Sequence, residues 1–385
     1  MLALRSLFLS SGAALGIVFP FIALILFERG YDVVGVGLIA GASALVAALA
    51  MPVWGHIADV VTGRRRALQL AAVLAAGAFA ITLAPPAGVL LSICFVAFWV
   101  AATALGPLID ALAVNAVADP RRDYARVRLL ASLGFAIAVI VVGFVYGLIG
   151  YDVAVVLYAV AAGVVVIGAI FVPDVRRAEL RAIGEGSRLG SVGVAVRVAP
   201  RLPAALLAIG LIHITIIGSF TFLTVRLDEL GGGPESVALA NGVAALIEVP
   251  AFLLAGRLAR RLSPAGLFVA GALPYSLTVL SWTVIETPTL IVVSRAINGI
   301  GYAFLFTASV LTIAHLLPAR LQATGQTLFT MVGFGMAALL ADVTGGYLWS
   351  IGGAPLVFGL AGAIGLAAAI VGWSVLPRSA QPIRR

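Results

Sequence analysis

Long apolar runs follow one another along this chain with little but short turns between them. They cover residues 7–27, 33–54, 67–85, 88–117, 129–150, 152–172, 204–225, 236–258, 264–285, 288–316, 322–350 and 353–376. A helix needs about 20 mostly apolar residues to cross the hydrocarbon core of a bilayer. Each run is continuous rather than alternating, so spanning helices are expected and not the strands of a membrane barrel. Composition closes off the soluble alternative. The 385 residues are 62% hydrophobic and 10% charged, where a soluble domain has about 25% charged residues. A water-facing fold of this size would lack the polar surface to cover itself. The opening MLALRSLFLSSGAALGIVFPFIALILF has the look of a signal peptide. Its apolar run is too long and no clean small-residue cleavage site follows, so it reads as the first span.

The arginines orient the chain. All 24 basic residues are Arg. Arg5 precedes the first span, Arg64–Arg66 separate the second and third, and Arg121, Arg122, Arg126 and Arg128 separate the fourth and fifth. Six more lie between the sixth and seventh, three between the eighth and ninth, Arg320 after the tenth and three in the tail. That places 21 of the 24 on one face, and cytoplasmic loops carry the positive excess. Both termini are therefore expected in the cytoplasm, with the chain multi-pass in the plasma (inner) membrane. The net charge of +8 then reflects topology rather than nucleic-acid binding. The lone Cys94 permits no internal disulfide. Residues 173–203 are the one long polar interval. They divide the chain into six-helix bundles at 1–172 and 204–385, and serve either as a solvated linker or as a surface helix on anionic lipid.

The stretch GHIADVVTGRRRAL, from Gly55 to Leu68, is a charged knot between two spans. A glycine at a helix end allows close approach or a left-handed turn. An aspartate beside it can cap a helix or pair with an arginine. Gly-x-x-Ala-Asp followed by Gly-Arg-Arg resembles the signature between the second and third helices of the major facilitator superfamily. This chain has three residues between Asp59 and Gly63 where that family usually has two, and it lacks the usual Arg after the Asp. A degenerate echo stands at Gly256-Arg-Leu-Ala-Arg-Arg-Leu, an offset of 201, and Gly134-Phe135 recurs as Gly333-Phe334, an offset of 199. Both offsets match helices six apart, as in transporters built from parallel repeats.

The resemblance implies an all-α polytopic protein of twelve transmembrane helices in two six-helix pseudo-repeats, the major facilitator fold. It implies a secondary active transporter, not an enzyme, working by alternating access. YARVRLLASLGFAIA, ALIEVPAFLLAGRLARR and NGIGYAFLFTASVLTIAHLLPARLQATGQTLF resemble the phenylpropionate-permease-like and lactose-permease-like branch, which implies proton symport of a small organic solute. Export of drugs or sugars is the alternative; the Arg signature of the fourth helix and the Gly-Pro pair of the fifth that mark drug exporters are missing. The expected partners are a small-molecule substrate, protons and the lipid bilayer. No nucleic acid, cofactor or metal is expected, and the chain is read as a monomer.

Ionisable groups within spans are costly and usually functional. Glu248, near the middle of the eighth span before Pro250, is the first candidate for proton coupling or substrate binding, against a structural pair with an arginine. Asp110, after Pro107, is the second, against an interfacial pair with loop arginines. Arg295 pairs with Glu248, binds a substrate carboxylate or snorkels outward. His213, Asn298, Trp99 and Tyr302 complete the candidate substrate site, each with a packing role as its alternative. Asn241, Gln326 and Asn115 serve as hydrogen-bonders or as helix–helix glue. Asp342 is expected near the outer surface. Gly55, Asp59, Gly63, Arg64 and Arg65 form the candidate cytoplasmic gate.

Overall fold

The computed structural model describes residues 2–82, 87–116, 120–172, 190–318 and 321–379. Of 114–116, 120–126, 190, 191 and 323 only the backbone is described. Among the described residues ten segments are long and apolar enough to cross a membrane. The last, Thr324–Val375, is 52 residues long and is broken at Gly353, where φ is 60° and ψ −157°; it supplies two spans. Arg64–Ile81 opens with three arginines and so falls outside a hydropathy criterion, yet packs as a span. Twelve result. We label them α1 (Leu2–Glu28), α2 (Val33–Val61), α3 (Arg64–Ile81), α4 (Val89–Ala113), α5 (Pro120–Ile149) and α6 (Val153–Ile170). The rest are α7 (Leu202–Glu229), α8 (Gly233–Leu258), α9 (Pro264–Ser281), α10 (Pro288–Leu316), α11 (322–352) and α12 (354–375).

Several ends and bends differ from expectation, each with a local cause. Pro20 sits in a 3₁₀ turn, Phe19–Phe21, that divides α1. The α4 run breaks at Thr103–Ala104, because the ring of Pro107 clashes with the carbonyl four residues earlier and Pro has no N–H to give it. The arginines of the knot are not in a loop; they form the first turn of α3. The interval 173–203 lies outside the described residues up to 189, and then holds a short helix, Gly190–Val198.

The chain forms two compact units. One holds Met1–Asp32, Ala42–Gly186 and Gly233–Gly242; the other holds Val33–Gly41, Ser187–Gly232 and Val243–Arg385. The division therefore departs from chain order at the beginnings of α2 and α8. In the first unit α1 lies on α5 and α6, and α3 on α4 and α6. In the second, α9 lies on α10, and α7 packs on α11 at Phe222 against Gly345. Thr215 Oγ1 of α7 donates 2.7 Å to the Ala361 carbonyl of α12, and Leu280 of α9 packs on Gly362. The pairing scheme repeats. Gly134 and Gly333, the pair noted in sequence, do equivalent work: Gly134 lets α5 meet α1 at Leu9, and Gly333 lets α11 meet α7 at His213.

The outward surfaces stay apolar. Leu129, Leu133, Ile137 and Val141, spaced by four on α5, are each about half exposed. Such a stripe on one helix face belongs in lipid rather than water.

Candidate functional site

In the first unit the knot is a junction. Ile57–Val61 is a π-turn, with Thr62 N donating 2.8 Å to the Ile57 carbonyl. A π-turn holds one residue more than an α-turn, which accommodates the extra residue between Asp59 and Gly63. Gly63 has φ 87°, a left-handed value that glycine takes without strain, and it reverses the chain into α3. Arg64 Nε donates 3.1 Å to Asp59 Oδ1 and its Nη1 donates 3.2 Å to the Ala111 carbonyl of α4. Arg65 Nη2 donates 2.8 Å to the Val172 carbonyl just past α6, where a cation meets the negative end of a helix. The knot thus ties the ends of α2, α3, α4 and α6 together. Gly55 is exposed, and a methyl group there would meet nothing within 4 Å.

Asp110 sits one step away. Arg128 Nη1 of α5 donates 2.8 Å to each of its carboxylate oxygens, the pairing with an arginine that was the alternative to a free acid. Trp99 is buried and stacks on Phe19, ring centres 5.5 Å apart, where α1 bends.

The second unit gathers the other candidates. Arg295, Asn298 and Tyr302 are spaced i, i+3 and i+7, so α10 presents them on one face. Arg295 is 5% exposed and Asn298 1%. Arg295 hydrogen-bonds Tyr275 of α9, and its charge acts on that of Glu248. The Tyr275 hydroxyl lies 3.4 Å from Ser219 Oγ of α7. Asn298 Nδ2 donates 3.5 Å to the Tyr275 carbonyl, leaving its Oδ1 buried with no partner. Glu248 is partly exposed, and its charge also reaches Tyr302. Close approach makes this possible: a methyl at Gly299 would stand 2.6 Å from the Ala244 carbonyl, one turn before Glu248. Tyr302 packs edge-on to Phe252.

His213 stands apart from that cluster. Its Nδ1 donates 2.8 Å to the Ile209 carbonyl, Phe329 and Phe334 meet its ring edge-on, and Nε2 is buried without a partner. The facing segment of α11, Met331–Met336, is a second π-turn. Asn241 donates back to Val237 in its own helix; the side chain of Asn115 lies outside the described residues.

One partner escaped the sequence reading. Tyr275 links α7, α9 and α10. A tyrosine beside Pro274 in an apolar run was the available signal for it. The arginines that break the orientation rule are also accounted for. Arg29 pairs with Asp152, Arg226 lies 3.8 Å from Glu229, and Arg295 is inside.

The sequence matches the MFS_1-like family over residues 2–360. The chain belongs to that family. Maltose permease of Geobacillus stearothermophilus is 28% identical over 358 residues, spanning 92% of this chain and 89% of the relative. A transporter of Bacillus subtilis (strain 168), YwbF, is 22% identical over 372 residues, 93% and 90% of the two chains. Among solved structures, a variant of the nucleoside transporter NupG superposes with a TM-score of 0.84 at 17% identity, covering 97% of this chain and 99% of its own. The D-xylose-proton symporter gives 0.72 at 14%, covering 99% and 98%. The fold is that of the major facilitator superfamily, and this MFS_1-like protein is a multi-pass membrane transporter rather than an enzyme.

Proposed function

We propose that this transporter is a proton-coupled symporter of a small, hydroxyl-rich organic solute, working by alternating access in the plasma (inner) membrane with both termini cytoplasmic. The observation that carries the reading is the polar cluster of the second unit: Glu248, Arg295, Tyr275, Asn298 and Tyr302 set within apolar helices. Donors and acceptors held this way suit a solute that offers both, such as a sugar or a nucleoside. Glu248 carries the coupling proton, since a partly exposed carboxylate next to a buried cation can lose and regain its charge. Asp110, held by Arg128, is the second candidate. Arg295, Asn298 and Tyr302 contact the solute, with His213 and Trp99 as further contacts. Gly55, Asp59, Gly63, Arg64 and Arg65 form the cytoplasmic gate. The similarity to a maltose permease, a nucleoside transporter and a xylose–proton symporter supports the solute class.

The test is internal pH in proteoliposomes while maltose, xylose, uridine and an aromatic acid are added in turn. Solute-dependent acidification that Glu248→Gln abolishes is the expected result. Uptake of any of these solutes without proton entry, or full proton-coupled uptake by Glu248→Gln, would overturn the coupling scheme.

A further inference from the structure

Asp342 of α11 belongs to none of the groups above. The sequence places it in the outer half of its span, and the folded chain leaves it 3% exposed. The Thr221 hydroxyl of α7 hydrogen-bonds its carboxyl group. Oδ1 is buried with no partner. Around it lie apolar contacts: the Phe222 ring stacks on Trp349 with centres 5.6 Å apart, and Gly218 backs onto Ala341. The start of α2 lies against the backbone of the turn that carries Asp342. A methyl at Gly37 would land on the Asp342 carbonyl oxygen, and one at Gly346 would stand 2.8 Å from the Val33 carbonyl. Glycine on both helices lets α2 and α11 close into a seam at the turn that carries Asp342.

The ionisable groups on the elements packed here are His213 along α7 and Arg226, Asp228 and Glu229 at its end, Asp32 just before α2 with His56 and Asp59 at the far end of that helix, and Tyr347 on α11 itself. Arg226 and Glu229 are engaged with each other, and Glu229 also accepts 2.9 Å from Trp349 Nε1. Among the described residues none forms an ion pair with Asp342. A carboxylate with one bare oxygen and no cation is costly to bury. The neutral acid avoids that cost. In the neutral acid no charge is left without a counter-ion, and the Thr221 hydroxyl still has a carboxyl oxygen to bond to.

We propose that Asp342 is a proton-binding site separate from the Glu248 cluster, and that its protonated form holds the seam between α2 and α11 closed. When the seam parts, water reaches the carboxyl group and it releases its proton; closing requires that the proton be taken up again. The proposal rests on the reading of the chain as a transporter that changes access, because only then does the seam open in normal work.

Two readouts test it without any solute or gradient, so a failed transport assay leaves them intact. The first is the infrared carbonyl band of a protonated carboxylic acid at neutral pH. It should diminish in Asp342→Asn and shift in Thr221→Val, which keeps the acid and removes its hydrogen-bond partner. Glu248→Gln serves as the control for the other acid. The second is alkylation of Val34→Cys in a Cys94→Ser background, where the new thiol lies in the seam. Its rate, divided at each pH by the rate in the same protein carrying Asp342→Asn, should rise with pH, with a limit of about tenfold per pH unit for one linked proton. A wild-type band unaltered by both Asp342→Asn and Thr221→Val would overturn the proposal. So would a ratio that stays flat across the pH range.

Discussion

The coupling between Glu248 and Arg295 is the part of the site most open to measurement. Arg295 is almost fully enclosed, while Glu248 keeps partial exposure. Two unit charges 4 Å apart interact by about 4 kcal/mol at an effective dielectric constant of about 20. That is a ceiling here, because one partner is partly open; about 1–2 kcal/mol is the expected coupling. Glu248→Gln should cost about 1–2 kcal/mol of stability, since it removes a negative charge whose field reaches the enclosed guanidinium. Arg295→Met should cost a similar amount by stripping the cation from the acid. The double variant should be less damaged than the sum, by the coupling energy. The assay is a double-mutant cycle by equilibrium chemical unfolding in detergent at one fixed pH. If the two costs add to within about 0.5 kcal/mol, the charges do not act together and the site argument loses its electrostatic basis.

Other expectations follow from single contacts. Exchanging the partners in Asp110→Arg/Arg128→Asp should recover most of the activity lost in either single variant, read as uptake into proteoliposomes; the stability effect should stay within about 1 kcal/mol because Arg128 is half exposed. Gly63→Ala forces a side chain into φ 87° and should cost about 1–2 kcal/mol in chemical unfolding. Thr215→Val removes the 2.7 Å bond from α7 to α12 and should cost about 1 kcal/mol in the same measurement. Arg65→Gln replaces the cationic donor to the Val172 carbonyl with a neutral, shorter one and should speed proteolysis of the ends of α3 and α6 more than that of α9.

The span count, the repeat and the family were legible because each rests on local signals: apolar length, arginine placement and a loop motif. Helix ends were less so. Arg64–Arg66 look like loop residues by hydropathy, yet they form the first turn of α3, because Gly63 supplies the reversal and Asp59, Ala111 and Val172 receive two of the guanidinium groups. The π-turn at Ile57–Val61 shows how an insertion in a motif need not move the helices on either side. What local signals do not carry is partnership between distant spans. Asp110 and Glu248 read alike in sequence, as acids beside prolines in apolar runs. They differ because α5 brings Arg128 onto both oxygens of one, while the other shares the field of an enclosed Arg295.

Asp342 makes the same point from the opposite side. Hydropathy places it toward a membrane face, where water would keep it charged at little cost. The turn of α11 that carries it packs on α2, some 300 residues earlier in the chain, and that approach depends on the absence of a side chain at Gly37. The environment of that carboxyl group is therefore a property of helix contact rather than of depth along α11. A contact made through glycine can be unmade without breaking interlocked side chains, so the group best placed to sense the parting of these helices is the one carried on the turn where they meet.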